Sequence, residues 1–260
     1  MAIAPPAIWS PQWAAQRSAL QHAAFTEPLL QAAFADGSPL PPGYGVAMDE
    51  RLVELPWVHA SGCRGRVLDA GSALNHAEVL AHVAPTVADL HIVTLEPEAH
   101  AFTSARISYV FADLRELPYK DDLFDTVVSV STLEHVGMDN QRYGVEGLQG
   151  TTPDHELALA LTELRRVTRP GGTLLITVPY GRPDDLGWFR VFDRAAVERI
   201  VDVVAPAEAT TTIYRYDIEG WQVSDPDAAA DAVYRDHEAD PHPADFAPNA
   251  RAVACLRLTV

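Results

Sequence analysis

Short apolar runs alternate with segments of helical periodicity from Arg66 onward. The apolar runs are "RVLDA", "LHIVTLE", "ISYVFAD", "FDTVVSVS" and "GTLLITVPY". Each has the length and composition of a strand that is buried on both faces. Before the last run, one apolar helix face is formed by Leu157, Leu161, Leu164 and Val167. Pro170-Gly171-Gly172 is expected to end that helix. The alternation predicts an α/β fold with a mostly parallel sheet.

The two ends of the chain depart from this alternation. Residues 1–60 are predicted to form a helical extension or lid ahead of a domain at 61–260. A helix is expected in "SPQWAAQRSALQHAAF", because Ser10 is a good N-cap and Pro11 suits the first turn. A second, short helix in "DERLVELPWVH" should end before Pro56. At the other end, "TTTIYRYDIEGWQVSD" and "ARAVACLRLTV" predict strands without a crossover, so the C-terminal strand is expected to form an antiparallel edge.

The charge balance restricts the partners. Lys and Arg number 19 against 36 Asp and Glu, which gives a formal net charge of -17. Such a field repels phosphate backbones and anionic lipids, and so argues against a nucleic-acid or membrane partner. Cys63 and Cys255 form no metal-ligand pattern, and the N-terminus lacks the features of a signal peptide. A cytoplasmic location is therefore expected.

The turn after the first predicted strand, "DAGSALNH", contains one glycine, Gly71. A pyrophosphate-binding turn has three, which let backbone N–H groups approach the phosphates closely. A cofactor without phosphates needs less, and acids at the strand ends can hold a ribose and an ammonium group. Ligands of open α/β sheets bind beyond these strand ends, where Glu96, Asp113 and Ser131 also lie. S-adenosylmethionine has the required groups and no phosphate.

The motifs "VLDAGSALNH", "VTLEPE", "FADLRELPYKDDLFDTVVSVSTLEHV" and "ELRRVTRPGGTLLITVPY" resemble those of class I S-adenosylmethionine-dependent methyltransferases, which have a Rossmann-like fold. The resemblance covers residues 66–180. The family's usual second glycine is Ala73 here, which leaves the contacts of the methionine end open. The resemblance implies a cofactor site formed by Asp69, Gly71 and Ser72 at the methionine end, Glu96 at the ribose, Asp113 and Leu114 at the adenine, and Ser131 near the centre. The lid, including Tyr44, Glu50 and Arg51, is expected to close over the cofactor.

His135 follows the fourth strand and is the predicted general base, because a sugar hydroxyl ionises reluctantly at neutral pH. The alternative is a histidine that caps or packs. Glu134 beside it could orient the imidazole or bind a metal. The pair also resembles part of the E-x-x-E-H metal site of some methyltransferases, although the first acid is Ser131 here. A Mg²⁺ site of Glu134, His135, Asp139 and Asp185 is therefore predicted, and solvated turns are the alternative for the two aspartates.

The predicted acceptor-binding residues are polar and aromatic: Arg142, Tyr143, Tyr180, Trp188 and Arg190. Ordinary packing is the alternative for Trp188. The segments "PPGYGVAMDERLVELPW" and "STLEHVGMDNQRYG" resemble actinobacterial sugar O-methyltransferases, the group that includes the mycobacterial methylmannose enzyme. The predicted function is O-methylation of a small polar acceptor, a carbohydrate first. An aromatic or quinone-precursor acceptor, a catalytically silent cofactor-binding scaffold and a homodimeric assembly remain open.

Overall fold

The structure, a computed structural model, describes residues 6–102, 107–141, 144, 150–235 and 249–260. Its helices are α1 (Pro11–Thr26), α2 (Pro28–Asp36), α3 (Arg51–Ala60), α4 (Ala77–Val83), α5 (Pro153–Val167) and α6 (Arg194–Val204). Its strands are β1 (Gly65–Ala70), β2 (Val87–Thr94), β3 (Ile107–Phe111), β4 (Phe124–Val130), β5 (Thr168–Pro179), β6 (Asp184–Asp185), β7 (Arg190–Val191), β8 (Glu208–Asp217), β9 (Gly220–Ser224) and β10 (Ala252–Thr259).

The main sheet has the order β3-β2-β1-β4-β5-β10-β8-β9. Strands β1 to β5 pair in parallel, as predicted. The C-terminal strand β10 pairs antiparallel to β5, which confirms its predicted direction, and β8 and β9 extend this antiparallel side of the sheet. The chain leaves β1 toward β2 on one side and reaches β4 on the other. This reversal opens a crevice beyond the carboxyl ends of β1 and β4, where ligands of such sheets bind.

Helices cover both faces of the sheet. The side chains of α1, α2, α3 and α4 pack on one face, around buried residues such as Trp13 and Val67. Those of α5 and α6 pack on the other, around residues such as Leu68 and Leu164. Val67 and Leu68, which are adjacent in β1, thus lie in opposite cores, and both side chains are fully buried. This two-sided burial explains why the central strands read as continuous apolar runs.

Helix α3 runs through Pro56, so the prediction that it ends before this residue is wrong. Proline has no N–H to donate to the carbonyl four residues earlier, which belongs to Leu52. The buried Tyr44 hydroxyl donates to that oxygen at 2.7 Å instead. A side chain from the preceding segment therefore replaces the missing hydrogen bond, and the helix continues.

Helix α5 ends at Val167, within one residue of the end of the predicted segment "HELALALTELRRVT" and ahead of Pro170-Gly171-Gly172. These three residues lie within the irregular start of β5. The hydroxyl of Thr168 donates to the Leu164 carbonyl at 2.7 Å and so satisfies one of the last helical acceptors. Thr168 therefore caps the helix just before the predicted stop.

The segment before α3 is tied to the hairpin of β8 and β9. The Trp221 amide donates to the Tyr44 carbonyl at 2.8 Å, and its indole donates to the Met48 carbonyl at 3.1 Å. Gly45 has a φ of +67°, and a Cβ there would lie 2.8 Å from the Trp221 ring. The predicted extension thus shares a core with the domain. Among the described residues, no helix combines the length and apolar character that crossing a bilayer requires.

Candidate active site

A cavity of about 380 Å³ lies beyond the carboxyl ends of β1, β2, β3 and β4. The predicted site residues that line it are Gly71, Glu96, Asp113, Leu114, Ser131 and His135. Arg51, which was expected in the lid over the cofactor, also lines it, as do residues that sequence reasoning missed, among them Glu98, Arg115, Thr132 and Asn140. Because the strand ends were identified correctly, most of the predicted cofactor residues come together in one place.

The turn after β1 needs its glycine. Gly71 has a φ of +119°, and a Cβ at this position would lie 2.0 Å from the Thr132 hydroxyl oxygen. Any side chain would therefore collide with the loop after β4. Ser72 follows with a φ of +66°, and its buried hydroxyl has no hydrogen-bond partner among the described residues. Gly71 lines the cavity, whereas Ser72 and Asp69, two predicted cofactor residues, lie next to it in the turn and in β1 without lining the cavity.

Asp69 is the last polar residue of β1 before the turn and is fully buried. One carboxylate oxygen accepts a hydrogen bond from the Leu74 amide at 2.8 Å. The other, Oδ1, has no partner within the part of the chain that the structure describes. Burial raises the pKa of Asp69 to about 7, partly offset by hydrogen bonds from the turn. A buried acceptor of this kind is suited to a cationic donor such as an ammonium group.

The side chain of Asn75 anchors the turn after β1 by three hydrogen bonds. Its amide nitrogen donates to Glu98 at 2.6 Å and to the His100 carbonyl at 3.1 Å. Its amide oxygen accepts a hydrogen bond from the Tyr109 hydroxyl at 3.0 Å. One side chain therefore connects the turn after β1 to the loop after β2 and to β3. Glu98 lines the cavity, and its carboxylate is held by the hydrogen bond from Asn75. The sequence analysis did not identify this residue.

Asp113 lines the cavity with its carboxylate already engaged. The Arg115 guanidinium binds both of its oxygens, with an Nη2–Oδ2 distance of 2.6 Å. Burial by itself raises the pKa of Asp113, but the hydrogen bonds from Arg115 outweigh it and hold the pKa below its ordinary value. Arg115 also contacts Glu156 at 2.6 Å, so two carboxylates compensate its charge. The pair stabilises the wall of the cavity next to Leu114.

Arg51 is the first residue of α3, and it lines the cavity from the N-terminal segment of the chain. It forms an ion pair with the fully buried Glu54 on the next helical turn. Glu54 in turn accepts hydrogen bonds from the hydroxyls of Ser131 at 2.6 Å and Thr177 at 2.7 Å. The end of β4, the end of β5 and helix α3 therefore meet at one carboxylate.

His135 lines the cavity from a short 3₁₀ turn, residues 133–135. Its Nδ1 lies 3.0 Å from the Trp188 carbonyl oxygen, and the two rings stack with centroids 5.3 Å apart. A carbonyl can only accept, so Nδ1 carries the proton in this hydrogen bond and the lone pair of the neutral ring is on Nε2. The contact therefore fixes the tautomer that a general base requires.

Glu134 does not take the role predicted for it. The side chain is buried, it does not line the cavity, and its Oε2 has no partner among the described residues. Burial raises the pKa of Glu134 to about 8, with a further contribution from Glu54. The Trp188 carbonyl, rather than Glu134, orients the imidazole of His135.

The predicted Mg²⁺ site of Glu134, His135, Asp139 and Asp185 is not supported by the structure. Asp139 accepts a hydrogen bond from the Gln141 amide at 3.0 Å, and Asp185 accepts one from the Gly187 amide at 2.8 Å. Both carboxylates thus stabilise turns. Within the described ranges, no three His, Cys, Asp or Glu side chains are arranged to hold a metal ion.

Two of the predicted acceptor-binding residues are structural. The buried Tyr180 donates to the Pro226 carbonyl at 3.0 Å, and Arg190 donates to the Pro153 carbonyl at 3.1 Å at the start of α5. Neither lines the cavity. Trp188 lies against His135.

One further predicted site residue does not line the cavity, and two more lie outside the residues that the structure describes. Tyr44 is a predicted cofactor residue but supports α3 instead, because its hydroxyl is bound to the Leu52 carbonyl. Arg142 and Tyr143 lie outside the described residues.

Comparison with known proteins identifies the domain that contains this cavity. Residues 68–176 match a family model described as a methyltransferase domain. A curated relative, the tRNA (carboxymethyluridine(34)-5-O)-methyltransferase of Arabidopsis thaliana, is 27% identical over 95 residues, which are 36% of this chain and 20% of the relative. The chain thus spans about a fifth of the length of this relative.

Similar solved structures include the 1,6-didemethyltoxoflavin-N1-methyltransferase of Burkholderia thailandensis. It is 14% identical with a TM-score of 0.49, over 100% of this chain and 93% of that one. The YcgJ protein of Bacillus subtilis is 14% identical with a TM-score of 0.48, over 79% of this chain and 97% of that one.

The cavity fits S-adenosylmethionine. Its walls offer exposed acids such as Glu96 for a ribose, an apolar surface at Leu114, and a cation at Arg51. The buried and unpartnered Asp69 Oδ1 next to the turn suits an ammonium group. Together with the sheet order and the matched family model, these features lead to one conclusion. Residues 68–176 match a methyltransferase domain within a fold that has the class I sheet order, and S-adenosylmethionine is the cofactor.

Proposed function

We propose that this protein methylates a hydroxyl group of a small polar acceptor, with a carbohydrate as the first candidate. The observation that carries the proposal is that His135 lines the cavity while its Nδ1 donates to the Trp188 carbonyl, so that the lone pair of the neutral ring is on Nε2. A hydroxyl needs such a base, because it ionises reluctantly at neutral pH. The Trp188 ring stacks on His135 and does not itself line the cavity, so its role would be to support the base.

The predicted cofactor residues would contact different parts of S-adenosylmethionine. When bound, S-adenosylmethionine supplies a methyl group on a sulfonium together with its leaving group. Glu96 would accept from the ribose hydroxyls, and Asp113 with Leu114 would border the adenine. Asp69 and Ser72 would hold the amino group of the methionine end. Their unpartnered buried oxygens support this assignment.

Arg51 would bind the carboxylate of the methionine end. It lines the same cavity as Gly71 and Ser131, the residues at the centre of the site. Arg115, the other arginine that lines the cavity, is compensated by Asp113 and Glu156. Arg51 is therefore the better placed cation for an anionic ligand group.

In the reaction, the protein would align the acceptor, remove its proton and exclude water. His135 Nε2 would accept the proton of the attacking hydroxyl, while the Trp188 carbonyl holds the resulting imidazolium through Nδ1–H. Residues 40–60, which carry Arg51, would close the site against solvent. Hydrogen exchange of this segment should slow when S-adenosylhomocysteine is added, and unchanged exchange would argue against closure.

The experiment that tests the function is a screen of labelled methyl transfer onto sugars and phenols, with and without EDTA. Transfer to sugar hydroxyls that resists EDTA would support the proposal. Transfer to phenols would favour an aromatic acceptor, the second candidate, which the His135 ring that lines the cavity also suits. Tight binding of S-adenosylhomocysteine by calorimetry without transfer to any acceptor would favour the cofactor-binding scaffold.

A further inference from the structure

A fully buried acid on α3 lies behind the cavity rather than in it. Glu54 does not line the cavity, but two of its three hydrogen-bonding partners do. The Arg51 guanidinium binds one carboxylate oxygen, and the Ser131 hydroxyl donates to the other at 2.6 Å. The Thr177 hydroxyl donates to that same oxygen at 2.7 Å. Removing Glu54 would therefore release two cavity residues at once.

Ser131 needs this support because its backbone is strained. It has a φ of +42°, in the left-handed region that residues with a side chain rarely adopt. Its amide donates both to the carbonyl of Thr177 at 3.0 Å and to the hydroxyl of Thr177 at 3.1 Å. That hydroxyl is the one that donates to Glu54. Glu54 thus orients Thr177, which holds the Ser131 backbone, and binds the Ser131 side chain directly.

Neighbouring acids do not share this role. Glu50 and Glu134 are both buried near Arg51, and one carboxylate oxygen of each has no partner among the described residues. Burial raises the pKa of each to about 8, so they are largely protonated at neutral pH. Glu54 is the acid in direct contact with the Arg51 guanidinium.

On the basis of the proposed cofactor function, we infer that Glu54 is a positioning residue for the methionine end of the cofactor. Glu54 orients Arg51, which would bind the carboxylate of the cofactor's methionine end, and it holds Ser131 at the centre of the cavity. It has no role at the adenosine end, whose wall is built by Asp113, Leu114 and Glu96. A purely structural residue would affect both ends equally.

Two ligands separate these possibilities. S-adenosylhomocysteine carries the amino-acid end, whereas 5′-methylthioadenosine keeps the adenosine and the thioether but lacks that end. For Glu54→Gln we expect calorimetry to show a roughly tenfold to hundredfold loss of S-adenosylhomocysteine affinity, the size of one charge-assisted hydrogen bond. Affinity for 5′-methylthioadenosine should stay within about twofold, since well-separated sites act independently.

The matched control is Glu50→Gln, at the N-cap of α3 and likewise outside the cavity lining, and it should leave both affinities unchanged. In an Arg51→Met background, Glu54→Gln should have little further effect on S-adenosylhomocysteine, because the two residues act as a unit. If Glu54→Gln does not fold, Thr177→Val removes one donor of the same cluster, and it should show a weaker loss for the same ligand alone.

Two sets of results overturn this inference. In the first, Glu54→Gln weakens both ligands equally, retains full S-adenosylhomocysteine affinity, or adds its full effect to that of Arg51→Met. In the second, the wild-type protein binds both ligands with the same affinity, so that no residue at the methionine end matters. Failure of the cofactor assignment looks different, because the wild-type protein would then bind neither ligand. Failure of the proposed methyl transfer would leave both affinities as expected, with no product formed from any acceptor.

Discussion

Replacing Tyr44 with phenylalanine tests how α3 passes Pro56. The Leu52 carbonyl has lost its helical donor to the proline, and the Tyr44 hydroxyl serves it at 2.7 Å. Tyr44→Phe would therefore leave a buried acceptor unsatisfied, which lowers the free energy of unfolding by about 1–3 kcal/mol. For a chain of this length, each kcal/mol corresponds to a fall in melting temperature of roughly 2–4 °C.

The assay is urea unfolding of single and double variants. Pro56→Ala restores an N–H that can donate to Leu52, so in that background Tyr44→Phe should cost much less. Tyr214→Phe is the matched control, because this buried hydroxyl has no partner among the described residues and its loss should not destabilise the protein. The reasoning is refuted if Tyr44→Phe costs the same in both backgrounds, or if Tyr214→Phe costs as much as Tyr44→Phe.

Three further predictions concern the site. Glu96→Ala should weaken S-adenosylhomocysteine binding by roughly 1–3 kcal/mol in calorimetry, because the ribose loses a charged acceptor, and unchanged affinity would remove Glu96 from the site. His135→Ala should lower turnover by roughly 10²–10⁴-fold while cofactor affinity stays within about threefold, and a wild-type rate would exclude it as the base. Glu134→Gln should stabilise the protein more at about pH 8 than at about pH 5. Burial raises the pKa of Glu134 to about 8, so the folded state retains a proton that the unfolded chain loses as pH rises above the ordinary value; urea midpoints that shift equally at both pH values would contradict this.

Local patterns were enough to predict the central part of the fold. Apolar runs of strand length and their order gave the parallel sheet, and the polar residues that follow them gave most of the cavity lining. The single glycine was informative as well, because Gly71 lies where the backbone passes too close to Thr132 for any side chain. Strand-length apolar runs, the polar residues after them and a turn glycine depend on residues close together in the sequence, and they can therefore be predicted from it.

Residues joined by long-range contacts escaped prediction. Arg51 was expected only as part of the lid, and no local pattern shows that its side chain lines the cavity beside Ser131. The continuation of α3 past Pro56 depends on Tyr44, which is not part of the helix. Glu134 and His135 are adjacent, yet one enters the core and the other the cavity, because a single 3₁₀ turn directs successive side chains differently. Proximity in sequence therefore did not give a catalytic pair.

The connection between the segment before α3 and the hairpin of β8 and β9 has a consequence for biosynthesis. The Ala47 amide donates to the Tyr216 hydroxyl across 169 residues of sequence, and Gln222 donates to the Leu40 carbonyl across 182. Contacts this distant form late, because a long loop must close before they are gained. We therefore expect residues 40–48 to leave the ribosome early and remain without their partners until β9 has been translated. During that interval Trp13, Phe34 and Tyr44 lack the surface that buries them, and the nascent chain is a ready client for chaperones.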